Sequence, residues 1–431
     1  MQRIAVIGSG IAGSAAAWRL TAAAGELRVS LFEAGSHFGG HANTVDLSLD
    51  GIEHGVDTGF LVFNRRTYPQ LIQLFAELGV ASVDSDMSFS VQASGLEWSG
   101  SSLGSVFAQR RNLLRPSFWH LLKEILRFNR LATRLAEADD AQALQGSVAE
   151  FLDWHGFGTG FREHYLLPMI GCIWSCPTEQ MLRFPIATLL RFCHNHGLIQ
   201  VSDRPQWMTV RGGSRDYVGR IVSRLQDARL NSPVLGLQRS GSQVRLLSAR
   251  GWEAFDAVVL ACHSDQALAL LGGGASEAER AVLGAIRYQP NLAVLHSDAE
   301  VLPQRRAAWA AWNYERASDV GTEQAQVCLH YLLNRLQPLP WQRPVIVSLN
   351  PARPIRDELV HRRIEYSHPV FDLAALQAQG RIAELQGRQR TWFCGAWCGY
   401  GFHEDGLKAG YAAADGVLQA LGSWMPERSA A

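Results

Sequence analysis

The chain has 431 residues, with 40 Lys and Arg against 40 Asp and Glu, 47% hydrophobic residues and 19% charged ones. That length and apolar content exclude a single small domain and a disordered chain, and they predict two or three domains with large cores. A formal charge of zero offers no electrostatic case for nucleic acid, which demands a basic excess on some surface.

Only Lys123 and Lys408 are lysines, so any chemistry that needs a lysine has two candidates; coding bias is the plainest source of the skew. The seven cysteines are an odd number, and the close pairs Cys172/Cys176 and Cys394/Cys398 lack the second half of a zinc motif. Free thiols in a reducing cytoplasm, and no metal site, are the expectation. No apolar run reaches 18 residues, so no spanning helix is expected, and Ile4–Ile7 is too short for a signal segment.

Arg3 to Ile7 predicts a buried parallel strand, followed by Gly8-Ser9-Gly10-Ile11-Ala12-Gly13 and an Ala-rich helix from Ser14 to Ala24. Gly8 suits the tight turn, Gly10 lets a pyrophosphate approach the backbone, and Gly13 lets helix and strand pack closely. The helix N-terminus then faces the anion. A second strand, Arg28 to Phe32, ends in Glu33, 20 residues after Gly13, where an acid accepts from ribose hydroxyls. Gly8, Gly10, Ile11, Ala12, Gly13, Glu33 and Ala34 are therefore expected to bind a dinucleotide, and NAD and FAD both use such a unit.

Further along stand Gly39-Gly40-His41 and Asp57-Thr58-Gly59-Phe60. Residues 110–128 mix Arg and Lys with Trp, Phe and Leu, and from Ser117, taken as N-cap, the apolar positions follow helical spacing. Such a helix packs on a core or lies in a membrane interface. Asn231–Val234 and the alternating Val244–Leu247 predict a β-rich segment, and Phe255–His263 a strand returning to the first sheet. Gly272-Gly273-Gly274 follows a helical run and predicts a loop, so no second dinucleotide motif is visible. Near the end, Thr391–Ala396 forms a short strand, and Trp397-Cys398-Gly399-Tyr400-Gly401-Phe402-His403-Glu404-Asp405-Gly406 leads into a helix. Carboxylates at Glu404 and Asp405 suit capping of its first turn.

The glycine doublet after Glu33, the Asp57–Phe60 segment and the C-terminal strand, loop and helix resemble the flavin amine oxidase and carotenoid desaturase superfamily. The resemblance implies FAD and a discontinuous fold: a Rossmann-like, GR2-type α/β FAD domain from residues 1–75, 201–289 and 386–423, an inserted α+β substrate domain from 76–200 and 290–385, and a flexible tail at 424–431. It adds Gly39, Gly40, His41, Thr58, Gly59, Phe60, Val234, Gly395, Gly401, Phe402, His403, Glu404 and Gly406 as cofactor contacts. The superfamily's usual arginine after the doublet is His41 here, a weaker partner for pyrophosphate. The closing helix would direct its N-terminus at the pyrimidine end of the flavin and stabilise the reduced form.

Gly401–Gly406, Gly39–Val45, Ile173–Pro177, Asn195–Leu198 and Val210–Ser214 resemble more narrowly a group of amine-oxidase-like flavoproteins. These are similar to the N-terminal half of plant cyclopropane fatty acid synthases, and bacterial members accompany lipid methyltransferases. Amine oxidases of the superfamily place a lysine near the flavin, whereas residues 290–385 contain none. The resemblance thus implies a cytoplasmic oxidoreductase that desaturates a fatty acyl chain beside a methyltransferase, with contact to the inner membrane surface through 110–128. Oxidation of an amine or small hydrophobic molecule, and a non-redox FAD protein that holds lipid for a methyltransferase, are the alternatives. His403 is the first candidate for acid/base work, followed by His54, His41 and Tyr288. Trp174, Trp207, Trp309, Trp312, Tyr314 and Ser175-Cys176 are candidates to line the substrate channel.

Overall fold

A computed structural model describes residues 1–23, 27–93, 95–138, 144–174, 178–200, 204–316 and 327–424. Strand β1 (Gln2–Ile7) has Ile4, Ala5 and Val6 fully buried, as an all-apolar run sandwiched between layers must be. It pairs in parallel with β2 (Leu27–Phe32) on one side and with a strand 250 residues later in sequence on the other. The connection from β1 to β2 is helix α1 (Ile11–Ala22), whose Ala15, Ala16, Ala17 and Leu20 are all fully buried. Its first two turns are enclosed by the layers around them, and Arg19 and Ala22 mark the face left to solvent.

Hairpin β3 (Thr44–Leu49) and β4 (Ile52–Asp57) follows, then the two-residue β5 (Phe63–Asn64), helix α2 (Pro69–Leu78), β6 (Ser82–Ser85), β7 (Phe89–Ala93) and β8 (Leu96–Ser99). After a helical stretch come β9 (Trp207–Val210), β10 (Asp227–Arg229), the antiparallel set β11 (Gly236–Arg239), β12 (Val244–Ser248) and β13 (Gly251–Phe255), and β14 (Ala257–Leu260). The remaining strands are β15 (Arg287–His296), β16 (Trp312–Glu315), β17 (Cys328–Leu332), β18 (Ile346–Leu349), β19 (Val360–Val370) and β20 (Thr391–Phe393).

Two sheets organise the molecule. One is parallel throughout, in the order β10-β2-β1-β14-β20, and so gathers strands from both ends and the middle of the chain. The other has seven strands in the order β19-β15-β18-β17-β16-β7-β8, antiparallel except where β16 runs parallel to β7. β15 starts at Arg287, three residues before the expected domain boundary. The closing helix His403–Trp424 crosses α1 so closely that a Cβ on Gly410 would stand 2.2 Å from the Ala12 carbonyl oxygen.

The helix expected from Ser117 begins at Pro116 and runs to Ala138. Proline suits that first turn, where no intrahelical partner exists for its missing N–H, so Ser117 is inside the helix and is no cap. Phe118, Leu121 and Phe128 bury one face of it in the core. Gly272–Gly274 forms a 3-10 turn. Among the described residues no helix is long and apolar enough to cross a membrane. The six cysteines there are free, four of them buried, and Cys176 lies outside the described residues.

Candidate cofactor and substrate cavity

One cavity of about 840 Å³ runs from the C-terminal ends of β1 and β2 to the aromatic residues beside the seven-stranded sheet. At its first end the glycine loop performs three separate tasks. Gly8 adopts φ +97° to turn the chain, and a Cβ on Gly13 would lie 1.9 Å from the Gly8 carbonyl oxygen, so α1 can dock only on a glycine. A Cβ on Gly10 would meet nothing within 4 Å: it would project into the cavity. No side chain caps α1 at Gly10 and no acid sits in its first turn, so its free N–H groups are available to an anion.

Glu33 is fixed from the inside. Its Oε2 accepts from the Ser9 backbone N–H at 3.0 Å and from Ser9 Oγ at 2.5 Å, while Oε1 accepts from the Gly35 N–H at 2.7 Å. Ser9 Oγ also accepts from the Gly39 N–H at 3.1 Å, which ties the glycine doublet to the first loop. Gly39 and Gly40 have φ of +113° and +59°, and a Cβ on Gly40 would come within 3.1 Å of Gly10 Cα. His41 stacks on Tyr366 at 4.5 Å; its buried Nε2 has no hydrogen-bond partner among the described residues, and burial holds its pKa well below the ordinary histidine value. Open space at Gly10, an uncapped helix and an orphaned imidazole nitrogen fit the pyrophosphate of FAD.

Asp57 holds the neighbouring loop. This fully buried carboxylate accepts from Thr44 Oγ1 at 2.6 Å and from the Ser214 backbone N–H and Oγ at 2.9 and 2.7 Å, which joins β4 to the Gly212–Ser214 turn. Phe60 follows and stacks face to face on His403, centroids 3.6 Å apart. The His403 Nε2 lies 2.8 Å from the Tyr217 hydroxyl, and burial pushes the histidine down to about 3. His403, the first candidate for acid/base work, thus lines the cavity with one nitrogen engaged and its ring held neutral by burial.

Of the expected contacts, Gly8, Gly10, Ile11, Ala12, Glu33, Ala34, Gly40, His41, Gly59, Phe60, Val234, Gly395, Gly401, Phe402 and His403 line the cavity. Gly13 and Gly39 stand behind it as packing and turn residues. Thr58 is turned away, its hydroxyl 3.0 Å from the Asn43 carbonyl and 3.1 Å from the Tyr366 hydroxyl. Gly406 admits Ile11, whose Cγ2 would be 2.7 Å from a Cβ there. Glu404 is a correction: its two oxygens accept from the N–H groups of Gln70 and Leu71 at 3.0 Å each, so it caps α2 and is withdrawn from the cofactor. Asp405 caps its own loop, accepting from the Tyr400 and Phe402 N–H groups at 3.1 and 3.0 Å. His54 hydrogen-bonds its neighbour Gly55 through Nδ1 and does not line the cavity. Tyr288 lines it, with its hydroxyl accepting from the Ser264 N–H at 3.0 Å.

At the far end Trp174, Trp207 and Trp312 line the cavity as expected of channel residues. Trp309 does not; its indole donates to the Pro303 carbonyl at 2.7 Å, and Tyr314 is buried in the core. Ser175 and Cys176 lie outside the described residues. Tyr68, Met87, Phe192, His196, Tyr331 and His368, none of them marked as a wall residue in the sequence, also line the cavity. His196 belongs to the Asn195–Leu198 motif, the one available signal; its Nδ1 faces the Phe192 carbonyl at 3.0 Å and burial pushes it to about 4. Among the described residues the lining contains no Lys, Arg or Asp, and its one Glu is Glu33 at the nucleotide end. Lys408 pairs with Glu404 at 3.7 Å, outside the wall.

A family model described as an NAD(P)-binding Rossmann-like domain matches residues 6–78. No curated protein matches the chain. Among solved structures, cyclohexylamine oxidase from Brevibacterium oxydans IH-35A is 17% identical, with a TM-score of 0.68 over 98% of this chain and 99% of that one. Putrescine oxidase bound to putrescine is also 17% identical, with a TM-score of 0.65 over 97% and 99%. A fatty acid isomerase from P. acnes that produces CLA is 16% identical, with a TM-score of 0.65 over 96% and 98%. The chain therefore has the α/β fold of the FAD-binding amine oxidases, with a Rossmann-like dinucleotide unit at its start and a cavity that FAD fits.

Proposed function

We propose that the protein is an FAD-dependent oxidoreductase that desaturates an uncharged hydrocarbon substrate, a fatty acyl chain, and works beside a cyclopropane-synthase-like lipid methyltransferase. The observation that carries this reading is the uncharged substrate end: aromatic and aliphatic side chains, with His196, His368 and His403 all held neutral by burial. An ammonium ion would meet no carboxylate of the described residues there, whereas an acyl chain loses nothing by leaving water. Neither lysine lines the cavity, in keeping with the same reading.

Bound in this cavity, FAD supplies the two-electron acceptor. The chain's own residues bind and orient. The α1 N-terminus and the space at Gly10 receive the pyrophosphate, Glu33 accepts from ribose, and the loop at Gly401–His403 brings the closing helix's N-terminus to the cavity wall. Phe60 and His403, stacked, make a rigid wall, while Trp174, Trp207 and Trp312 exclude water from the reacting carbon.

A membrane contact belongs to the same proposal. Leu113, Leu114 and Trp119 are 47%, 88% and 49% exposed beside Arg110, Arg111 and Arg115, a composition suited to a lipid interface. Lipid profiling of cells with and without the gene tests the reading: an acyl species that appears only with the gene supports it, and identical acyl profiles overturn it.

A further inference from the structure

β16 and β17 carry two sets of side chains. Trp312 and its cross-strand neighbour Tyr331 line the cavity. One residue along each strand the side chains turn to the opposite face of the sheet. There Glu315 sits directly across from Cys328, with His330 two residues further on. All three are buried, at 7%, 4% and 1% exposure, although nothing in the cavity chemistry uses them.

Their donor atoms converge. Cys328 Sγ lies 3.5 Å from His330 Nε2 and 3.8 Å from Glu315 Oε2, and His330 Nε2 lies 2.9 Å from the same Glu315 oxygen. Zinc bonds of about 2.3 Å to sulfur and about 2.0–2.2 Å to nitrogen and oxygen, set at tetrahedral angles, give ligand-to-ligand edges of roughly 3.4–3.6 Å. The observed triangle needs one edge opened by roughly half an ångström to meet those edges. We propose that Glu315, Cys328 and His330 form a binding site for a thiophilic divalent cation, zinc foremost, independent of the flavin chemistry.

The surroundings support each ligand. Arg353 Nε holds the other oxygen of Glu315 at 2.8 Å, leaving Oε2 for the ion. The Ala352 N–H donates to Cys328 Sγ at 3.3 Å, which fixes the sulfur in place. His330 Nδ1 is 2.6 Å from Ser348 Oγ, which orients the ring with Nε2 toward the other two ligands. Ser348 is fixed in turn: the Asp298 N–H donates to His296 Nδ1 at 3.0 Å, so His296 Nε2 carries its proton toward Ser348 Oγ at 2.7 Å. A serine oxygen has two lone pairs and can accept from both imidazoles, which suits an Nδ1-protonated His330 bound to an ion. Three protein ligands leave the fourth position to water.

The competing occupant is a proton, shared between His330 and Glu315 as a plain ion pair. The full-length flavoprotein, stripped with a chelator and titrated with Co²⁺, separates the two. A sulfur-to-cobalt charge-transfer band saturating at one ion per chain, with a Zn²⁺-dependent rise in Tm, supports the site. Cys328→Ser must abolish the band, and Glu315→Gln must weaken binding by about tenfold or more. Tm in chelator and flavin content report whether each variant is folded, and an unfolded Cys328→Ser leaves Glu315→Gln to decide. No band and no Tm shift in the wild type, or a band undiminished in both variants, overturns the proposal. Flavin content and lipid conversion are separate readouts, so failure here leaves the oxidoreductase reading standing, and the reverse.

Discussion

The two ends of the cavity are built on different principles. At the nucleotide end, backbone geometry dictates the residue: Gly8, Gly10 and Gly13 fall within six positions, and each meets a different steric demand. At the substrate end the wall is assembled mostly from side chains: Tyr68 just ahead of α2, two helical segments, β9, β16, β17 and β19. The first end binds by hydrogen-bond donors and a helix terminus. The second, among the described residues, presents no charged side chain. The cofactor end is thus set by a few consecutive residues, whereas the substrate end is set by side chains dispersed along the chain.

The contrast can be broken first at Gly13. Gly13→Ala drives a methyl to 1.9 Å from the Gly8 carbonyl oxygen and should cost about 3 kcal/mol or more in chemical denaturation, with loss of bound flavin. Gly10→Ala should separate fold from binding. Its φ of −57° is unstrained and its Cβ meets nothing, so the apoprotein should keep its stability within about 0.5 kcal/mol while FAD affinity falls about tenfold or more. Equal loss of stability in the two variants would erase the distinction.

At the other end the test is charge. Met87→Lys places a cation in the half-buried wall, and should lower acyl-lipid turnover about tenfold with flavin content unchanged. Turnover equal to wild type would show that the uncharged lining does not select the substrate. The smallest effect is at Asp405, whose burial raises its pKa from 3.8 to about 6, although the Phe402 and Tyr400 N–H bonds oppose the shift. The folded state then holds this proton more tightly than the unfolded one, so its contribution to stability is full below pH 3.8 and is lost as pH rises through about 6. Asp405→Asn should remove that step from the difference between the two stability–pH curves, measured by urea denaturation.

What the sequence disclosed follows the same division. Gly8–Gly13, Glu33 and the glycine doublet are legible because a turn and a helix terminus constrain consecutive residues. The returning strands β14 and β20 are legible as apolar runs, and with β10 they build the parallel sheet from distant segments. Glu404 was misplaced because a carboxylate in a first turn caps its own helix by default, whereas this one reaches across to α2. Tyr68, His196 and Tyr331 went unassigned since they meet only after folding. Cys328 and His330 went unnoticed for a related reason: their third partner lies on the neighbouring strand, where no spacing rule reaches it.

In the proposed reaction a flavin at the glycine loop is reduced by a hydrocarbon chain in an uncharged pocket. Anaerobic mixing of the flavoprotein with unsaturated and methyl-branched acyl lipids, and separately with aliphatic amines, tests it most directly. Loss of oxidised-flavin absorbance is expected with an acyl lipid and none with the amines. Rapid bleaching by an amine, with none by any acyl lipid, would contradict it.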